Sequence, residues 1–145
     1  NTRDQHGEAP GTRGESWSTD GGESFDSRDS DWKAFRPIEG VLDLPVVQGA
    51  LLRVSEDLIL LSGPDENGPS GKGRSDMRIR YSTDEAKTWQ DGPIIHTGPV
   101  AYSDMVLLSE GSVGLLFEAG SPSQKSAYQR IVFSAISSIA VEVIH

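Results

Sequence analysis

Cysteine is absent from the 145 residues, which removes disulfide frameworks, thiolate–zinc sites and cysteine nucleophiles together. No apolar run approaches the ~20 residues that a membrane-spanning helix needs. Basic residues are scarce: 13 Lys and Arg against 22 Asp and Glu leave a formal net charge of −9. That is the wrong sign for a surface that gathers nucleic-acid phosphates. An anionic ligand would have to be held by a few converging arginines, against the overall field. The three histidines, His6, His96 and His145, are isolated, without metal-ligand or Ser/His/Asp spacing. Neither a metal nor any other cofactor is expected. Long helical periodicity with caps is missing as well.

What remains is a chain built for short strands. Sixteen glycines and eight prolines punctuate alternating or apolar runs at Leu51 to Val54, Leu58 to Leu61, Met77 to Tyr81, Met105 to Leu108, Val113 to Phe117 and Arg130 to Phe133. Such spacing predicts meandering antiparallel strands, with one more strand over Ser137 to His145 and a loop over Gly63 to Gly73. An internal repeat strengthens the reading. Gln48 to Arg53 recurs 54 residues later as Tyr102 to Leu107, and Leu58 to Leu61, which follows the first, has its counterpart in Val113 to Leu116. Each copy reads as strand, turn, strand.

A second repeated element runs from Ser18 to Phe25 and again from Ser82 to Trp89. Both follow Ser-x-Asp-x-Gly-x-Ser/Thr-aromatic, except that Ala86 replaces the glycine. Asp and Ser at the start of such a turn can bond nearby backbone N–H groups. Glycine supplies the positive φ, and the final aromatic is expected to tuck between neighbouring strands. Ala86 there implies strain or a different turn. The boxes are structural devices and carry no chemistry.

Taken in order, Asn1-Thr2-Arg3, the two Asp boxes, Arg74, Ala101-Tyr102-Ser103-Asp104 and Gly114 to Glu118 resemble the C-terminal part of the exo-α-sialidases (neuraminidases). The resemblance covers almost the whole chain. It implies an all-β fold, a partial β-propeller of about half of six four-stranded antiparallel blades, with residues 1–145 as its C-terminal part. The chain opens in mid-pattern at Asn1, so an N-terminally truncated domain is expected. The partner implied is a sialylated glycan, with no nucleic acid and no membrane span. Lack of cysteine fits a cytosolic or an exported protein, with a secreted or periplasmic location slightly favoured.

The resemblance also assigns roles. Arg3 and Arg74 look like two of the three arginines that bind the substrate carboxylate, a task suited to a permanently charged planar fork. Tyr102 looks like the nucleophile. Sialidases depart from the two-carboxylate pattern of glycosidases in using a tyrosine, because the anomeric carbon bears a carboxylate that would repel an attacking Asp or Glu. Glu118 looks like the glutamate that positions the first triad arginine. For each of these residues the plainer reading is a surface or half-buried strand position. Arg13, Arg78 and Arg80 lack motif support and read as strand-surface residues, and Asp104 receives no role.

Three parts of the family's site, the first triad arginine, the acid–base aspartate and the glutamate partner of the tyrosine, are not identifiable in these residues. The 145-residue chain is therefore expected to be inactive alone, and its open sheet edges to favour self-association. Two other readings stay open: a non-catalytic Asp-box propeller that binds glycan or protein, and a transglycosylating relative.

Overall fold

Alternation of apolar and polar residues with period two decides the architecture. The computed structural model describes residues 2–4, 12–25, 36–37, 47–65, 73–123 and 126–137. Three strands, β1 (Thr2–Asp4), β2 (Thr12–Glu15) and β3 (Arg36–Pro37), form one sheet. Six more follow: β4 (Ala50–Ser55), β5 (Leu58–Pro64), β6 (Ser75–Ser82), β7 (Gln90–Leu107), β8 (Val113–Ala119) and β9 (Arg130–Ile136). They pair antiparallel in sequential order. Among the described residues the one helical element is a 3-10 turn at Ser109–Gly111.

Strand β7 serves two sheets. Its first half pairs with β6 and its second half, from Val100, with β8. Between them lie Gly98 at φ 114° and Pro99. Proline cannot donate to a ladder, so it belongs where pairing is irregular; the β6–β7 register slips three times between Ser75 and Arg80. Asp76, buried at φ 55°, accepts the Gly98 N–H at 2.9 Å. Its carboxylate thereby fixes the bend. Beyond it the second sheet folds back on the first. Leu60, Met77 and Ile79 of the first pack with Met105, Leu115 and Phe117 of the second in one core. Burial of this apolar surface, at roughly 25 cal/mol per Å², holds the two layers together.

The internal repeat appears as two superposable hairpins. Leu51 pairs with Leu61 and Leu52 with Leu60 in the first, and Met105 with Leu115 and Val106 with Gly114 in the second. A shift of 54 carries each pair onto its counterpart. The described fold is all-β and composed of propeller-like sheets. The first, β4 to the start of β7, has four strands; the second shows three, and residues 138–145 of the expected last strand lie outside the described residues.

The two Ser-x-Asp turns are built alike. Asp20 accepts from the Ser24 N–H (2.9 Å), the Ser18 hydroxyl (2.7 Å) and the Ser24 hydroxyl. Asp84 accepts from the Thr88 hydroxyl (2.6 Å) and N–H (2.9 Å), the Ser82 hydroxyl (2.7 Å) and the Lys87 N–H (3.1 Å). Donors converging on a carboxylate favour its charged form. Bonds from Ser24 and Ser18 hold Asp20 well below the usual carboxylate range. Those from Thr88 and Ser82 lower Asp84 to about 2. Gly21 and Gly22 sit at φ 75° and 93°, and their counterparts Glu85 and Ala86 are forced to 61° and 58°. The anticipated strain at Ala86 is present. Its methyl packs against Leu61 and Trp89, and Glu85 forms an ion pair with Arg53 at 2.7 Å.

Several sequence expectations need correction. Trp89 closes its turn as a buried aromatic, but Phe25 is 54% exposed. Gly63 and Pro64 belong to β5 rather than to the following loop. Gln90 to Thr97, unassigned in the sequence, is strand. Arg78 and Arg80 are not surface residues. Arg80 is 1% exposed, lying 3.4 Å from Asp65 and 2.9 Å from Asp91, and Arg78 approaches Asp65 at 2.5 Å. Buried guanidinium groups need such partners, because an unpaired charge inside a fold is strongly unfavourable.

Candidate functional site

The outward face of β7–β9 and the entry to β6 hold the chemistry-bearing side chains. Alternation along β7 buries Ala101, Ser103 and Met105 and turns Tyr102 and Asp104 outward. Tyr102 is 40% exposed. Its neighbourhood is fixed from three sides. Gln48 grips Ser103 twice, donating to its carbonyl at 3.0 Å and accepting its N–H at 3.2 Å. The Ser103 hydroxyl bonds that of Ser62 at 2.8 Å inside the core. The Tyr102 N–H donates to a Glu118 carboxylate oxygen at 3.3 Å.

Arg74 reaches the same place from the start of β6. Its carbonyl accepts the Val100 N–H at 3.0 Å, tying its backbone to β7 two residues before Tyr102. Both carbonyls that follow it, at Ser75 and Asp76, accept the Asp65 N–H, at 2.9 and 2.8 Å. From that anchored base the guanidinium carbon lies 5.6 Å from the Tyr102 ring centroid and 5.9 Å from that of Tyr128. The first is within range of cation–π attraction, whereas the second ring turns its hydroxyl edge toward the cation. Arg74 also donates a hydrogen bond to the Tyr128 hydroxyl.

Beside this cluster lies an open depression of about 280 Å³. Gln48, Tyr102, Asp104 and Glu118 give its polar rim, and Leu116 and Ile131 its apolar part. The volume is near the lower end of small-ligand sites, roughly 300–1,000 Å³. Among the described residues no group of three His, Cys, Asp or Glu side chains is placed to hold a metal ion.

Of the four residues singled out in the sequence, three come together: Arg74, Tyr102 and Glu118. Glu118 contacts the backbone of Tyr102 itself. The backbone of Arg3 lies in β1, opposite Arg13, while its side chain lies outside the described residues. Sequence reasoning missed Tyr128, which sits in a connection with no motif around it. It also missed Gln48, for which a signal existed, since the repeat aligns Gln48 with Tyr102. Asp104, given no role, shares the outward face with Tyr102.

A folded-back antiparallel sheet with Ser-x-Asp turns and an arginine–tyrosine cluster on its outer face defines a propeller-type chain. Its residues 1–115 match the BNR repeat-like domain family, and the chain belongs to that family. A sialidase from Micromonospora viridifaciens is 37% identical over 54 residues, which are 37% of this chain and 8% of that protein. Two solved structures share the fold. The intramolecular trans-sialidase of Ruminococcus gnavus, in complex with oseltamivir carboxylate, superposes with a TM-score of 0.61 at 18% identity, covering 88% of this chain and 29% of that one. The leech intramolecular trans-sialidase, complexed with 2,7-anhydro-Neu5Ac, gives 0.62 at 20% identity, covering 94% and 22%. This chain thus spans less than a third of the length of any of these relatives.

Proposed function

We propose that this chain supplies part of the active site of an exo-α-sialidase-type glycoside hydrolase, which releases terminal sialic acid from glycoconjugates. The observation that carries the reading is the Arg74 guanidinium, 5.6 Å from the Tyr102 ring, with Glu118 bonded to the backbone of that tyrosine. Arg74, with Arg3 as a second cation, binds the substrate carboxylate; a guanidinium presents two parallel N–H donors to its two oxygens. Tyr102 Oη gives its proton to a base and attacks the anomeric carbon as the bond to the leaving oxygen breaks, and that oxygen takes up a proton from a general acid. Water, giving a proton to the conjugate base of that acid, then attacks the same carbon, and the phenolate leaves with its bonding pair and recovers a proton from its base. Retention of configuration follows from the two displacements.

The general acid, the base partner of Tyr102 and the first triad arginine are expected from residues other than Arg3, Arg74, Tyr102 and Glu118. We therefore propose that the isolated 145-residue chain has little or no hydrolase activity. A fluorogenic sialoside tests both statements. The complete polypeptide should turn it over, and Tyr102→Phe should lower kcat by several orders of magnitude with modest change in KM, as when a group acting in the transition state is removed. Unchanged turnover in that variant would reject Tyr102 as nucleophile. Turnover by the isolated chain near that of a complete enzyme would reject its dependence on further residues.

A further inference from the structure

We infer that Tyr128 is a positioning residue for Arg74, its hydroxyl setting the guanidinium in place before a carboxylate arrives. The consequence for ligand binding rests on the proposed role of Arg74; the positioning itself rests on geometry alone. The Tyr128 ring centroid is 5.9 Å from the guanidinium carbon, its hydroxyl accepts from Arg74, and Tyr102 adds a second ring at 5.6 Å. One aromatic face, that of Tyr102, and a hydrogen bond to the Tyr128 hydroxyl constrain a side chain that otherwise samples many rotamers. An arginine ordered on folding loses less freedom when a ligand binds than one ordered by the ligand.

Burial does not account for Tyr128, which is 58% exposed. Its backbone, however, is anchored on both sides. Ala127 is buried in a cluster with Val47 and Ala101, which precede Gln48 and Tyr102 by one residue each. Gln129 donates its N–H to the Ala119 carbonyl at 3.2 Å and accepts the Ser121 N–H on its side chain at 2.8 Å. Gly120 lets the Ser126 carbonyl come so close that a Cβ there would lie 1.7 Å from its oxygen. An exposed aromatic on so firmly tied a segment is suited to aiming a neighbour rather than filling a core. Its hydroxyl, accepting from Arg74, still has its own proton to donate, and an oxygen of an Arg74-bound carboxylate is a suitable acceptor.

The test uses the complete polypeptide labelled with 15N, reading the Arg74 Nη–Hη resonance, which is assigned by its loss in Arg74→Lys. In the wild type, ring currents should move this resonance well away from that of a free arginine and the proton should exchange slowly. Tyr128→Phe should keep most of the shift but speed exchange, and Tyr128→Ala should lose much of both. In calorimetric titrations with N-acetylneuraminic acid, Tyr128→Ala and Tyr128→Phe should each weaken binding about tenfold, as expected for loss of a hydrogen bond to a charged group. An Arg74 resonance indifferent to Tyr128→Ala overturns the inference, as does undiminished affinity in that variant. Should the alanine variant unfold, the exchange rate and affinity of Tyr128→Phe decide in the same sense. A wild type that binds no N-acetylneuraminic acid would instead sink the carboxylate role of Arg74, while its resonance would still settle what Tyr128 does.

Discussion

Gly120→Ala is the substitution whose effect the coordinates fix most tightly. The new methyl would begin 1.7 Å from the Ser126 carbonyl oxygen and 2.9 Å from its carbon. The obstacle is backbone, so no rotamer change relieves it. The Ser126 segment must retreat by about 1.5 Å to restore ordinary carbon–oxygen contact. That movement withdraws Ala127 from its buried place and pulls Gln129 from the Ala119 carbonyl and the Ser121 N–H. A methyl-sized burial is worth about 0.8 kcal/mol and each hydrogen bond about 1 kcal/mol, so a loss of about 2–3 kcal/mol is expected. Urea unfolding followed by tryptophan fluorescence should show the midpoint falling with little change in slope. The Arg74 Nη–Hη resonance should drift toward that of a free arginine as Tyr128 moves away. Stability within about 0.5 kcal/mol of wild type, the range of an inert surface change, would refute the claim that this connection is tied down.

Acid should loosen the two Ser-x-Asp turns late. Asp84 is lowered to about 2 by the Thr88 and Ser82 bonds, and Asp20 is shifted the same way. Because the folded carboxylate binds protons less readily than the unfolded one, its contribution is complete above the ordinary value near 4 and disappears as pH falls through about 2. Urea midpoints measured from pH 5 to pH 2 should decline in that window, and Asp84→Asn should flatten the decline; an unaltered profile would contradict the bonding described. Asp65→Ala leaves the buried Arg80 and half-buried Arg78 without the carboxylate they share, and should lose about 3–5 kcal/mol in the same assay. Loss below about 1 kcal/mol would mean that Asp91 and other neighbours suffice.

Much of this fold was legible in the residues because its signals are local. The hairpin repeat could be read from a 54-residue self-match of its first strand, and the structure returns it with the second strand one residue off the sequence alignment, Leu61 matching Leu115. The Ser-x-Asp turns were equally readable, including the strain at Ala86, since their hydrogen bonds span only two to four residues. The first half of β7 was hidden because Gly92, Pro93, Gly98 and Pro99 look like a loop; register shifts that each place an extra residue on β7 accommodate them. Burial of Arg80 was invisible because its partner Asp65 lies on the far side of an intervening connection. In the site, Arg74, Tyr102 and Glu118 stood within recognisable runs. Tyr128 did not, for its place depends on how Gly120 lets the chain double back and on a hydrogen bond spanning 54 residues. Phe25 shows the converse, a turn motif that predicted its bonds but not the burial of its aromatic.

The most direct measurement is a crystal structure of the complete polypeptide soaked with N-acetylneuraminic acid. The carboxylate should lie within hydrogen-bonding reach of the Arg74 guanidinium, with the sugar ring over Tyr102 in the depression bordered by Glu118. Electron density for the sugar on another face, or none at concentrations that saturate binding in solution, would contradict the site.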